Sequence, residues 1–169
     1  MWHILYKSPL RRQLLAQQLD RAGIEHFIPT TLAEHTDDDG SGMNLVEEEP
    51  MRNLVFVRTE QNVYLLANLV AGLRAPYIDA MTGRPAVVSD EEMACFMRLM
   101  AQTDLRLHML QDPVSKFKAH QRVRITDGPF RGLEGHIVRI RKDRKLVIAV
   151  GQIAMAIDGI DHRLLEPLC

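Results

Sequence analysis

The chain has 169 residues, 46% of them hydrophobic and 25% charged, which is ordinary for a folded cytosolic protein and enough for one medium domain or two small ones. No apolar run approaches the roughly eighteen residues needed to span a bilayer, and the start Met1-Trp2-His3-Ile4-Leu5-Tyr6-Lys7 lacks the charged-then-apolar layout of a signal peptide. Cys95 lies in an apolar helical stretch and Cys169 is terminal, so a disulfide framework is excluded and reduced thiols in a cytoplasm are expected.

The formal net charge of -1 conceals two opposite clusters. Glu34, Asp37, Asp38, Asp39, Glu47, Glu48 and Glu49 follow one another with no Lys or Arg among them. Between Lys116 and Lys145, Lys118, Arg122, Arg124, Arg131, Arg139, Arg141, Lys142 and Arg144 face only Asp127, Glu134 and Asp143. Charge runs are usually solvated faces, but the asymmetry suggests segments with separate partners.

In chain order, residues 2–6 read as a short buried strand. Ser8 suits a helix cap and Pro9 a first helical position, and Leu10, Leu14, Leu15, Leu19 and Ala22 then follow helical spacing until Gly23. Residues 24–29 form a second strand, and the acidic stretch 30–50, with Gly40 and Gly42, has the polarity of a mobile loop. Asn53-Leu54-Val55-Phe56-Val57-Arg58 is a central strand by its β-branched and aromatic content. Val63, Leu66, Leu69, Val70 and Leu73 mark a second helix.

Tyr77-Ile78 and Ala86-Val87-Val88 flank the turn Thr82-Gly83-Arg84-Pro85 as a hairpin or loop would. Ser89-Asp90-Glu91-Glu92 is a capping box that opens a third helix with Met93, Phe96, Met97 and Met100 on one face. Residues 1–110 therefore read as an α+β domain, with helices against a mostly antiparallel sheet. Leu105, Leu107 and Met109 alternate as a short strand before a linker at 111–118.

Residues 119–169 change character. Val123-Arg124-Ile125 alternates, Asp127-Gly128-Pro129 turns, Phe130 can cap a small core, and Gly132 and Gly135 permit close backbone approach. Strands follow over 137–141 and 146–150, with Ile153, Met155 and Ile157 alternating once more. Short strands with regular turn signals predict a five-stranded SH3-like β-barrel.

The run from Arg122 to Val138, with Val123, Ile125, Asp127, Gly128, Pro129, Phe130, Gly132 and Gly135, resembles a KOW motif of the NusG-like transcription elongation factors. Trp2-His3-Ile4-Leu5-Tyr6, Pro50-Met51-Arg52-Asn53-Leu54-Val55-Phe56-Val57 and Pro85-Ala86-Val87-Val88-Ser89-Asp90-Glu91-Glu92 resemble segments of that family's N-terminal (NGN) domain, in the family's order. The resemblance implies an NGN-like α/β sandwich followed by a KOW barrel.

It also implies a function. The NGN domain would bind RNA polymerase and favour the pause-resistant state, and the barrel, free on its linker, would recruit a second partner such as a ribosomal protein. The polymerase-facing patch would include Tyr6, Leu54 and Phe56, and for Leu54 and Phe56 plain core is an equal reading. Lys7, Arg11, Arg12 and Arg74 would touch non-template DNA or nascent RNA, although solvated helix-face charge is the commoner role for such residues.

The family's Phe-Gly-Arg loop, associated with Rho and ribosomal-protein binding, corresponds here to Gly151-Gln152-Ile153-Ala154-Met155-Ala156. Ile153, Ala154 and Met155 thus form the expected partner loop, without the aromatic and the arginine. That departure, with the style of the last residues, is similar to the UpxY-type antiterminators of capsular polysaccharide operons.

No catalytic residue stands out. The seven histidines show no paired metal spacing, and neither a Cys-x-x-Cys nor a phosphate loop is present. No enzyme activity, cofactor, metal or membrane partner is expected, and a monomer is. The sequence points to a dedicated antitermination factor, with a general NusG-like factor or a ribosome-associated KOW RNA-binding protein as alternatives.

Overall fold

A computed structural model describes residues 1–169 apart from Leu10, Arg11, Asp37, Arg52, Thr103, Asp104, Pro113, Lys118 and Ala119, with Ala33, Val114 and Ser115 described by backbone alone. The fold is α+β, with α-helices and antiparallel sheets. The chain divides into two compact units, Met1–Met93 and Ala94–Cys169.

The first unit is built on β1 (Trp2–Lys7), α1 (Arg12–Arg21), β2 (Glu25–Phe27), β3 (Thr31–Thr36), β4 (Met43–Glu48), β5 (Leu54–Arg58), α2 (Val63–Leu69), β6 (Leu73–Pro76) and β7 (Val87–Val88). Its main sheet runs β2-β5-β1-β6, with β7 also on β1, and each pairing is antiparallel. The register Leu5↔Val55 and His3↔Val57 sets one face of the central pair. Leu5, Val55 and Val57 on that face pack with Leu15 and Leu19 of α1 and with Leu66 and Val70 around α2. Each such side chain contributes about 1.5–3 kcal/mol of burial, which fixes both helices on the sheet. The opposite face carries Trp2, Ile4, Leu54 and Phe56, all buried.

Local chemistry sets the boundaries. Gly23, at φ 66°, ends α1 in a Schellman motif, where Ile24 N–H donates to Leu19 O (2.9 Å) and Gly23 N–H to Asp20 O (2.9 Å). The Ser8 hydroxyl does not cap α1. It is buried without a hydrogen-bond partner, the backbone N–H of Ser8 donates to Gly72 O, and Leu10 lies outside the described residues. Asn62 caps α2 instead, accepting from Tyr64 N–H (2.9 Å) and Leu65 N–H (3.3 Å).

The acidic stretch is a hairpin rather than a loop. Strands β3 and β4 pair from Thr31↔Glu48 to Thr36↔Met43, and the Asp39 carboxylate closes the turn by accepting from Ser41 N–H (2.9 Å) and Oγ (2.6 Å). Thr31, Thr36, Leu32, Leu45 and Val46 supply β propensity that orders it despite the charge. The turn near 82–85 forms as expected. Ile78 bridges Pro85, and the buried Asp79 carboxylate accepts from Met81 N–H (2.8 Å) and Thr82 Oγ1 (3.0 Å).

Helix α3 (Asp90–Met100) spans the division. Its capping box is complete. Ser89 Oγ accepts from Glu92 N–H (3.1 Å), and Glu92 Oε2 accepts from Ser89 N–H (3.0 Å). Met93, Phe96, Leu99 and Met100 are buried and Met97 is half-buried, so the methionine face is core.

The second unit contains β8 (Arg106–Met109), a 3-10 turn (Val114–Phe117), β9 (Gln121–Ile125), β10 (Glu134–Ile140), β11 (Asp143–Val150), β12 (Ile153–Asp158), a second 3-10 turn (His162–Leu164) and β13 (Leu165–Pro167). The strands form one six-stranded antiparallel sheet in the order β13-β9-β10-β11-β12-β8. Among the described residues this path stays open at β13 and β8, where a five-stranded closed barrel was expected from sequence. Arg106–Met109 belong to this sheet, and Leu110 and Phe117 pack on it, although the sequence places them at the end of the first domain and in a linker. β8 pairs with β12 from Met155↔Met109 to Asp158↔Arg106, and Leu110 and Phe117 pack on Val138, Val147, Ala154 and Ala156. The apolar alternation of Leu105 and Leu107 is satisfied by that sheet. Pro113 and Lys118, also assigned to the linker, lie outside the described residues.

Candidate interaction surfaces

The turn between β9 and β10 explains its own sequence. Val123 and Ile125 point into the core of the second unit, and Phe130 is 7% exposed, closing one end of that core. The Asp127 carboxylate accepts from Gly128 N–H (2.8 Å), and Gly128 (φ 84°) and Gly132 (φ 90°) take backbone conformations that side chains disfavour. Gly132 N–H donates to Ile125 O (2.7 Å) and Ile125 N–H to Leu133 O (2.9 Å), which locks the loop to the strand end. Pro129 lies within the turn, where its fixed φ costs nothing. Gly135 answers a different demand. A Cβ there would sit 2.6 Å from Val147 O and 2.8 Å from Leu146 Cδ1.

Of the residues expected to face a polymerase, only Tyr6 reaches the surface. It is 40% exposed and lies against Tyr77, with ring centroids 5.7 Å apart. Leu54 (2%) and Phe56 (0%) are core, because β5 is an inner strand of the sheet. The sequence reading held surface and core equal for these two, and β5 alone carries no signal that tells them apart.

Two of the four basic candidates, Lys7 and Arg12, are drawn to the acidic hairpin. Lys7 is buried, and its Nζ lies 2.7 Å from Glu49 Oε2, so it offers no charge to a phosphate in this arrangement. Arg12 forms an ion pair with Glu47. That guanidinium and the Thr30 hydroxyl hold the Glu47 carboxyl down to about 2, and the pairing raises Arg12 in turn. His35 lies 2.6 Å from Glu48. Arg74 is exposed on β6, with no ion pair among the described residues, and Arg11 lies outside them. The structure thus brings Lys7 and Arg12 to one place, beneath carboxylates that the sequence reading assigned to a separate mobile element.

The expected partner loop is not a loop. Ile153, Ala154 and Met155 are the first residues of β12, each about 1% exposed or less, and pair with Val150, Ala149 and Ile148. The actual turn is Gly151-Gln152, with Gly151 at φ 60°. It borders a cleft of about 310 Å³ whose lining includes Arg122, Glu134, Gly135, His136 and Ala149. Arg122 and Arg124 both bind Glu134, and these bonds hold the Glu134 carboxyl below its ordinary value. The sequence reading missed this cleft, whose only advance signal was the run of small residues Gly135, Ala149 and Gly151.

Among the described residues no group of three or more His, Cys, Asp or Glu could hold a metal, and no helix is long and apolar enough to cross a membrane. Cys95 is half-buried and Cys169 exposed, both as free thiols. No protein-family model matches the chain, and no curated protein matches it.

Proposed function

We propose that the chain is a non-enzymatic, cytoplasmic transcription factor of the NusG-like kind, with an NGN-like first unit that binds RNA polymerase and a KOW-like second unit. It promotes processive, pause-resistant elongation, and serves dedicated operons of the capsular polysaccharide type. The observation that carries this reading is the β9–β10 turn. Asp127, Gly128, Phe130, Gly132 and Gly135 each meet a distinct structural demand there, in the order of the motif they resemble. An α+β unit built on an antiparallel sheet with two packed helices precedes it, as the same reading requires.

Tyr6, packed at a tilt against Tyr77, is an exposed aromatic on β1 available for a polymerase contact. The burial of Ile153, Ala154 and Met155 moves the second unit's partner surface to the Gly151-Gln152 turn and its cleft. A partner that recognises an exposed aromatic would find none at that turn, which favours a factor that does not recruit Rho.

The test is capture with the full-length chain, tagged at one end, from its native cytoplasm. Co-elution of RNA polymerase subunits, reduced by Tyr6→Ala, is expected, followed by read-through of terminators in transcription with purified polymerase. Capture of ribosomal subunits without polymerase would replace this reading with a translational one.

A further inference from the structure

The β10–β11 hairpin ends in a concentration of positive charge with which no carboxylate among the described residues forms an ion pair. Its two-residue loop is Arg141-Lys142, between Ile140 and Asp143. Arg139, Arg141, Lys142 and Arg144 are all exposed, and none forms an ion pair among the described residues. Elsewhere the unit pairs most of its cations. Arg122 and Arg124 bind Glu134, Lys145 lies 2.7 Å from Asp158, Lys116 binds Asp112 and Arg163 binds Asp161.

Two local features work against stability and so require another reason to be there. Arg139 and Arg144 are direct cross-strand partners, an arrangement in which like charges repel. Arg141 sits at φ 59°, the one non-glycine residue at positive φ among those described, in a loop position where glycine is the default. All four cations are exposed at one tip; the Arg139–Arg144 repulsion is relieved when a polyanion is bound, whereas the φ of Arg141 is a standing cost of keeping a guanidinium in the loop.

We propose that this tip is a binding site for the phosphodiester backbone of a nucleic acid. Three of the four cations are arginines, whose planar forks bind phosphate oxygens in pairs. The tip carries no aromatic residue for base stacking, so contact is with the backbone and independent of sequence. It also carries no exposed large apolar residue. Met109, the exposed one among the described residues of this unit, is on β8, so neither a membrane anchor nor the apolar centre of a protein interface is present at the tip. The site stands whether or not the first unit binds polymerase.

The test is fluorescence anisotropy of the full-length chain with labelled homopolymeric uridine RNA, its deoxythymidine counterpart and a mixed-sequence DNA duplex. With about four phosphates neutralised, binding to a single strand should weaken about fiftyfold between roughly 50 and 200 mM salt. The double substitution Arg139→Gln/Arg144→Gln should halve the slope of log affinity against log salt. Because it removes a like-charge pair, its thermal midpoint should match or exceed that of the parent, which separates lost binding from lost folding. Arg141→Gly should weaken binding while relieving the strained φ. Preference among the three probes names the natural source, and any of them supports the site. Unchanged affinity and salt slope in both variants would overturn it, as would binding of anionic phospholipid vesicles with no binding of nucleic acid.

Discussion

Lys7 Nζ lies 2.7 Å from Glu49 Oε2, with the lysine side chain 3% exposed and the carboxylate 23%. The lysine is the last residue of β1 and the glutamate immediately follows β4, so this pair ties the acidic hairpin to the central strand. Removing the carboxylate leaves an ammonium with neither water nor a counterion. Glu49→Gln should therefore destabilise the first unit by about 2–3 kcal/mol, less than for a fully buried pair because Glu49 keeps some water. Chemical denaturation measures this, and Lys7→Met in the Glu49→Gln background should recover most of the loss.

Glu47 should act as an acid-sensitive fastener of the same hairpin. Its carboxyl is held down to about 2 from 4.5, first by the Arg12 guanidinium and then by the Thr30 hydroxyl. A carboxyl depressed on folding stabilises fully above its unfolded value and loses that contribution as pH falls through the folded one. Backbone amide shifts of β3 and β4 should therefore move between pH 4.5 and about 2. In Arg12→Gln the midpoint should rise toward 4.5, with little change in global stability because the pair is largely solvated.

Gly128 and Gly135 belong to one motif but should fail differently. Alanine at Gly128 meets no atom within 4 Å and suffers only its φ of 84°, a cost of about 1–2 kcal/mol. Alanine at Gly135 collides with the Val147 carbonyl, so β10 and β11 must separate, at about 3 kcal/mol or more. Equal losses in a denaturant titration of the two variants would contradict this account.

Ser89→Ala should cost about 1 kcal/mol, since one hydroxyl satisfies Glu92 N–H and orients the carboxylate that serves Ser89 N–H. Ser89→Asp should restore most of it. Circular dichroism of the folded baseline, with denaturation, distinguishes a frayed α3 from general unfolding.

Where a feature depends on neighbours in the chain, the sequence exposed it. The Ser89 box, the Gly23 stop and the glycines of the β9–β10 turn were legible because each satisfies a local backbone requirement. What depends on distant pairing was not. Leu54 and Phe56 are core because β1 and β2 flank β5, a fact held in residues far along the chain. Lys7 and Arg12 read as free cations because their carboxylates stand more than thirty positions away. Ile153, Ala154 and Met155 read as a loop by alignment to a motif, whereas pairing with β11 places all three inside β12 and Met155 also pairs with β8.

The pairing of β8 with β12 bears on how this protein can be dissected. A fragment beginning at residue 119, where the sequence suggests a clean cut, would lack Arg106–Met109 and the Phe117 ring. It would bare the hydrogen-bonding edge of β12 along Met155, Ala156 and Ile157, an apolar run with no proline and with Asp158 at its end as the one charge in the strand. Such a fragment should self-associate through that edge, whereas one beginning near residue 101 keeps its guard strand and should remain dispersed.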